Sequence, residues 1–157
     1  MSNLLNYTSG VPVEQSVSYI ESMLAKAGAI NTSKTYDGGV ISGLWFQLDI
    51  RSGDRMIPMS FKLPVRTAAV ESVLMKQLKR PRPETRKRVQ DQAGRTAWKI
   101  LSDWCEAQLA MIQLEQAEPL EIFLPYVYDP NKDRTFFQAI KAGGFKQIAY
   151  NPSAEKQ

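Results

Sequence analysis

The 157 residues of this chain suffice for one domain with its own hydrophobic core, and 43% apolar against 23% charged residues excludes the composition of a disordered chain. One cysteine and no histidine exclude, within one chain, a disulfide framework, a zinc finger and a histidine-bearing metal centre. The net charge of +4 is unevenly spread: residues 51–99 carry 13 Lys or Arg against 4 acids, whereas residues 100–131 carry 6 acids and no base, so an electrically two-sided molecule is expected.

Residues 1–12 are polar and contain Gly10 and Pro12, which predicts a flexible lead-in to a single α+β domain over residues 13–150, followed by a flexible C-terminus over residues 151–157. The start lacks the basic and apolar regions of a signal peptide, and no apolar run reaches membrane-spanning length. A cytoplasmic chain with no membrane partner is therefore expected.

Over residues 13–27 the apolar Val17, Ile20, Met23, Leu24 and Ala27 recur at helical spacing, and Gly28 follows where a left-handed cap belongs. The period then changes to two. Leu44, Phe46, Leu48 and Ile50 alternate with Trp45, Gln47, Asp49 and Arg51, and Ile57, Met59, Phe61 and Leu63 alternate likewise, which predicts two half-buried strands. A two-residue turn at Ser52-Gly53 would set Leu48 against Ile57, Phe46 against Met59 and Leu44 against Phe61. An earlier strand over residues 30–36 leads into Asp37-Gly38-Gly39, whose three-residue form would pair Tyr36 with Val40 and Ile30 with Phe46. Pro58 cannot donate to a ladder, so the last strand belongs at an edge, and the sheet is an antiparallel meander.

Helical spacing returns after Pro64, with Ala69, Val70, Val73, Leu74 and Leu78 on one face until Lys79-Arg80-Pro81-Arg82-Pro83 stops it. A long central helix is predicted over residues 84–115, its wide apolar surface formed by Ala97, Trp98, Leu101, Trp104, Cys105, Leu109 and Ile112. Glu118-Pro119 ends it. Residues 123–126 read as a packed non-helical segment, and a short helix over residues 134–142 closes at Gly143-Gly144. The fold class expected is thus α+β: an N-terminal helix, a three-stranded antiparallel meander, then a helical part around one long helix. The first two-thirds share their element order with double-stranded-RNA-binding domains, an analogy of order alone, because those domains lack the long tryptophan-bearing helix.

Without histidine, Ser-His and Cys-His nucleophilic mechanisms are unavailable. Cys105 reads as a buried small hydrophobe, Trp98 and Trp104 as core, and Asp103, Glu106, Glu115, Glu118 and Glu121 as acids on solvated faces. Gly38-Gly39 and Gly143-Gly144 read as turns, since no Gly-Lys-Ser or Gly-Lys-Thr element accompanies them. No catalytic residue, metal ligand or cofactor is assigned.

The sharpest feature is the run Lys76, Lys79, Arg80, Arg82, Arg86, Lys87 and Arg88, broken only by Glu84. Arginine, four of these seven, is always charged and binds phosphate bidentately. A solvated interhelical loop explains the same charges, so both readings stand at this point. Trp45 falls on the non-core face of the meander beside Gln47, with Arg51 and Lys62 expected close by, a set able to stack a base and hold its phosphates. Helices covering that face would make Trp45 core instead.

The stretches Arg95-Thr96-Ala97-Trp98-Lys99-Ile100, Asp103-Trp104, Glu106-Ala107-Gln108-Leu109-Ala110 and Phe123-Leu124-Pro125-Tyr126, with Tyr36-Asp37-Gly38-Gly39 and Phe61-Lys62-Leu63-Pro64, resemble small proteins of tailed bacteriophages and prophages over residues 14–130. The resemblance implies phage origin and a host-cytoplasmic location, and it carries no catalytic residue. The first functional expectation is a non-enzymatic phage protein that binds single-stranded DNA or RNA through its phosphate backbone, independent of sequence, in phage DNA metabolism. Its alternative is a module or inhibitor that binds a host or phage protein; self-association is a further expectation. An enzyme working through carboxylates and a metal is the weakest reading.

Overall fold

Residue spacing and turn chemistry lead to an N-terminal helix, an antiparallel sheet and a long helix, and the computed structural model, which describes residues 4–151, shows that α+β architecture. The first helix, α1, runs Val13–Lys26 and buries Val17, Ile20 and Leu24. Gly28, at φ +100°, lets the chain reverse, so that Ala29 N–H reaches Leu24 O and Gly28 N–H reaches Ala25 O, as in a Schellman cap.

The strands β1 (Asn31–Asp37), β2 (Val40–Ser52) and β3 (Arg55–Lys62) form a meander with β2 in the middle, which leaves Pro58 on an edge strand. Both hairpins close on turns shifted from the expected ones. The β2–β3 turn is Gly53-Asp54, with Gly53 at φ +60°, so Leu48 opposes Met59, Phe46 opposes Phe61 and Ile50 opposes Ile57. Positive φ at the first central position is cheap for glycine and strained for Ser52; the resulting slip of two residues keeps every side chain on its expected face. The β1–β2 turn is Gly38-Gly39, both at positive φ, pairing Asp37 with Val40 instead of Tyr36 with Val40. Thr32, and not Ile30, opposes Phe46. An extra residue of β2, Ser42, bulges between the Thr35–Gly43 and Tyr36–Ile41 pairs, which turns Ile41 inward beside Leu44 despite their odd spacing.

The second helix, α2 (Thr67–Lys76), departs from expectation in its packing. Leu74 alone is buried, while Val73 and Leu78 stand exposed, because α2 packs chiefly on the N-terminal half of α3 and not across the sheet. The long helix α3 (Pro83–Gln113) buries Trp98, Leu101, Cys105 and Leu109 in the core with the sheet and α1, and its buried Ala97 lines a groove with Ala69 and Val70 of α2. Residues 123–126, expected to be non-helical, instead finish a short helix, α4 (Pro119–Phe123), and a 3₁₀ turn (Leu124–Tyr126). Arg134 and Thr135, expected to begin a helix, form a two-residue strand, β5, against β4 (Tyr128–Asp129), and α5 runs Phe136–Ala142 behind a Thr135 cap. A pair this short leaves no periodicity to read.

The expected lead-in is tethered within the described residues: Thr96 Oγ1 donates to Asn6 O at 2.9 Å, Gln92 Nε2 to Ser9 O at 3.0 Å, and Asn6 Nδ2 to Asp103 Oδ2 at 2.8 Å. The C-terminal tail from residue 152 onward lies outside the described residues.

Candidate nucleic-acid interface

The basic run occupies the end of α2, the connector of residues 77–82 and the first two turns of α3. Pro83 at the first helical position fixes where α3 starts and holds the connector short. Lys76, Lys79, Arg80, Arg82, Arg86, Lys87 and Arg88 are all exposed, and among the described residues none of them forms an ion pair, although Glu84 lies within the run. Cations at a helix start oppose its dipole, so α3 gains nothing from them. Their positive charge is left available to an external anion.

Arg88 also lines a groove of about 540 Å³ between α2, α3 and the N-terminal segment, together with Tyr7, Leu74, Leu78, Val89 and Arg95. Arg95 is held in place by Gln92 Oε1 at 2.6 Å and Ser9 O at 3.3 Å. Tyr7 carried no legible signal in the sequence, since only the docking of the N-terminal segment on α3 brings it beside Arg88; Arg95, seven residues after Arg88, shares its face of α3.

Trp45 sits on the outer face of the sheet, half-buried, directly opposite Lys62. Lys62 Nζ is 5.0 Å from the Trp45 ring centroid and 5.9 Å from that of Tyr128, and the two rings meet edge to face at 6.0 Å. Tyr128 is a member of this cluster that sequence reasoning missed, because its β4–β5 hairpin was not legible. The indole lies across Gly43: a Cβ there would stand 2.6 Å from Trp45 Cζ3. Gly43→Ala is therefore expected to lift the ring off β2, seen as stronger acrylamide quenching of tryptophan emission. Unchanged quenching would show that the ring does not rest on Gly43.

The expected residues fall into separate patches. Arg51, exposed opposite Met56, is six residues along β2 from Trp45, roughly 20 Å at strand rise, so it is not part of the Trp45–Lys62 cluster as expected. Arg86 is 18 positions before Trp104 on α3, about 27 Å along the axis, and Trp104 contacts Tyr126, two residues from Tyr128. The start of α3, with Arg86, Lys87 and Arg88, thus lies well away along the helix from the end that neighbours the Trp45 cluster.

The other candidates for chemistry are absorbed by structure. Burial pushes the Cys105 thiol up to about 12, so almost no thiolate exists near neutral pH. Native protein is expected to resist thiol-directed alkylation until denatured; rapid native labelling would contradict the packing of α3. Burial pushes the Asp103 carboxyl up, but hydrogen bonds from Lys99 and Asn6 and the Lys99 charge prevail and leave it below its ordinary value. Glu106 accepts from Tyr19 Oη at 2.8 Å, which raises that phenol. Among the described residues no group of three or more Cys, Asp or Glu side chains could hold a metal ion, and no helix is long and apolar enough to cross a membrane.

Compared with known protein families, known proteins and solved structures, the chain matches none.

Proposed function

We propose that this chain is a non-enzymatic phage protein that binds single-stranded nucleic acid in the host cytoplasm. The observation that carries the reading is the basic run across the end of α2, the connector and the start of α3, where seven exposed cations, four of them arginine, have no ion-pair partner among the described residues. A phosphate chain laid along Lys79, Arg80, Arg82, Arg86, Lys87 and Arg88 releases its counterions, and this entropy gain drives binding without reading sequence. Trp45 supplies a second contact, a base stacking on the indole while Lys62 beside it engages the adjoining phosphate and Arg51 the backbone farther along the strand.

The test is fluorescence anisotropy of labelled single-stranded DNA, duplex DNA and RNA at two salt concentrations, for the wild type and a variant with Arg80, Arg82, Arg86 and Arg88 changed to Ala. Salt-sensitive binding that the variant loses supports the reading, and absence of binding at low salt sinks it. Trp45→Ala is expected to weaken single-strand binding and spare any duplex binding.

A second reading, a module or inhibitor that binds a host or phage protein, is favoured by an apolar groove of about 580 Å³ lined by Val65, Ala69, Val70, Ile100, Pro125 and Phe137. Phe137, 40% exposed, adds to its apolar surface. Capture of a protein from nuclease-treated lysate that Val70→Asp and Phe137→Asp both abolish would select this reading.

A further inference from the structure

The two charged surfaces sit at opposite ends of one rigid rod. α3 holds 31 residues and so measures about 46 Å, with the basic connector at its N-terminus and Glu115, Glu118 and Glu121 just past its C-terminus. These charges cannot meet within one molecule. Each set also opposes the dipole of α3, cations at the positive end and acids at the negative end, so neither stabilises the helix that carries it.

Each end pairs its charge with apolar surface. At the basic end the groove beside Arg88 is floored by buried Leu74 and edged by half-buried Val89 and exposed Leu78 between α2 and α3. At the acidic end the chain turns sharply at Glu115, with φ +58°, and presents Leu114, 70% exposed, beside Met111. The three acids around Leu114 are exposed, and among the described residues none forms an ion pair, although Glu118 and Glu121 cap α4.

We propose that copies of this chain associate head to tail, the Leu114 corner of one copy seating in the groove beside the basic connector of the next. The occupant is a second copy because the corner offers the charge sign and apolar side chain that the groove lacks a partner for. Seating brings acids onto cations and so offsets the unfavourable charge at both ends. The contact joins two different surfaces, so it leaves one free surface at each end and propagates into chains or a closed ring. It does not require nucleic acid, which would instead compete for the connector.

The experiment is sedimentation velocity on nuclease-treated protein over a range of concentrations and salts. At low salt the mean mass is expected to rise past that of a dimer with concentration and to return to the 17.7 kDa monomer at high salt, where the ion pairs are screened. Two capped variants are decisive: one with Glu115, Glu118 and Glu121 changed to Gln, which retains the α4 cap, the other with Arg82, Arg86 and Arg88 changed to Ala. Each alone should be monomeric, and their mixture should form a 1:1 complex that grows no further. Leu114→Asp should weaken assembly at least tenfold. A wild type that stays monomeric throughout, or a capped variant that still dimerises alone, overturns the proposal. Anisotropy at protein concentrations where the wild type is monomeric separates the two readings: the Gln variant keeps the full basic surface, so it should bind nucleic acid at least as tightly as the wild type if that reading holds, and its failure to bind leaves the assembly result standing on its own.

Discussion

Truncating Phe123 to alanine is expected to lower the stability of the fold by about 3–5 kcal/mol, the largest single-residue loss foreseen for this chain. Phe123 is fully buried, and its ring meets Phe46 at 5.2 Å, Phe61 at 5.9 Å and Trp104 at 6.0 Å. It therefore joins α4, the middle of the sheet and α3 in one contact. A five-residue helix such as α4 has no stability of its own, so its position depends on this ring. Edge-to-face contacts add to the burial term, and the truncation leaves a cavity among rigid aromatic neighbours that cannot collapse into it. Phe123→Leu keeps most of the volume and is expected to cost less than about 1.5 kcal/mol. Equilibrium urea unfolding of both variants measures the difference. An unshifted midpoint for Phe123→Ala would mean that α4 detaches without loss to the rest, contrary to its place in the core.

The second large effect concerns salt. If the six cations from Lys79 to Arg88 each neutralise one phosphate of a single strand, affinity should fall roughly 300-fold between 50 and 200 mM salt. With Arg80, Arg82, Arg86 and Arg88 changed to Ala, the two remaining contacts predict a fall of roughly 7-fold over the same range. The slope of log affinity against log salt is the sharper readout, because it counts contacts and is insensitive to small changes in Trp45 stacking. A variant with weakened affinity but the wild-type slope would place the phosphate contacts elsewhere on the molecule. The exposed connector makes the substitutions structurally mild: none of the four arginines is buried or ion-paired among the described residues, so thermal stability should hardly move.

The two patches constrain how one strand could lie. A single strand engaging both the connector and Trp45 has to follow the length of α3. A short oligonucleotide occupies one patch only, so binding should strengthen with length once both are spanned.

Much of the architecture was determined by the sequence by itself. The i, i+3, i+4 apolar spacing of Val17, Ile20 and Leu24 and the two-residue alternation of Leu44, Phe46, Leu48 and Ile50 each specify a local conformation whose buried face is periodic, so α1, the meander and α3 follow from residue order. The basic run, too, is legible as composition, since charge of this density belongs on a surface in any fold. Tertiary structure decided the rest. The hairpin registers depended on which position of the turn each glycine takes, and in the β1–β2 hairpin on a bulge at Ser42, neither of which the alternation of apolar residues specifies. The exposure of Val73 and Leu78, the docking of residues 4–9 on α3 and the meeting of Trp45 with Tyr128 depend on contacts between segments far apart in the chain, which no local period encodes. The separation of the cations from Trp45 is of the same kind. Sequence fixes what each residue can do, and the length and direction of α3 decide which of them can do it together.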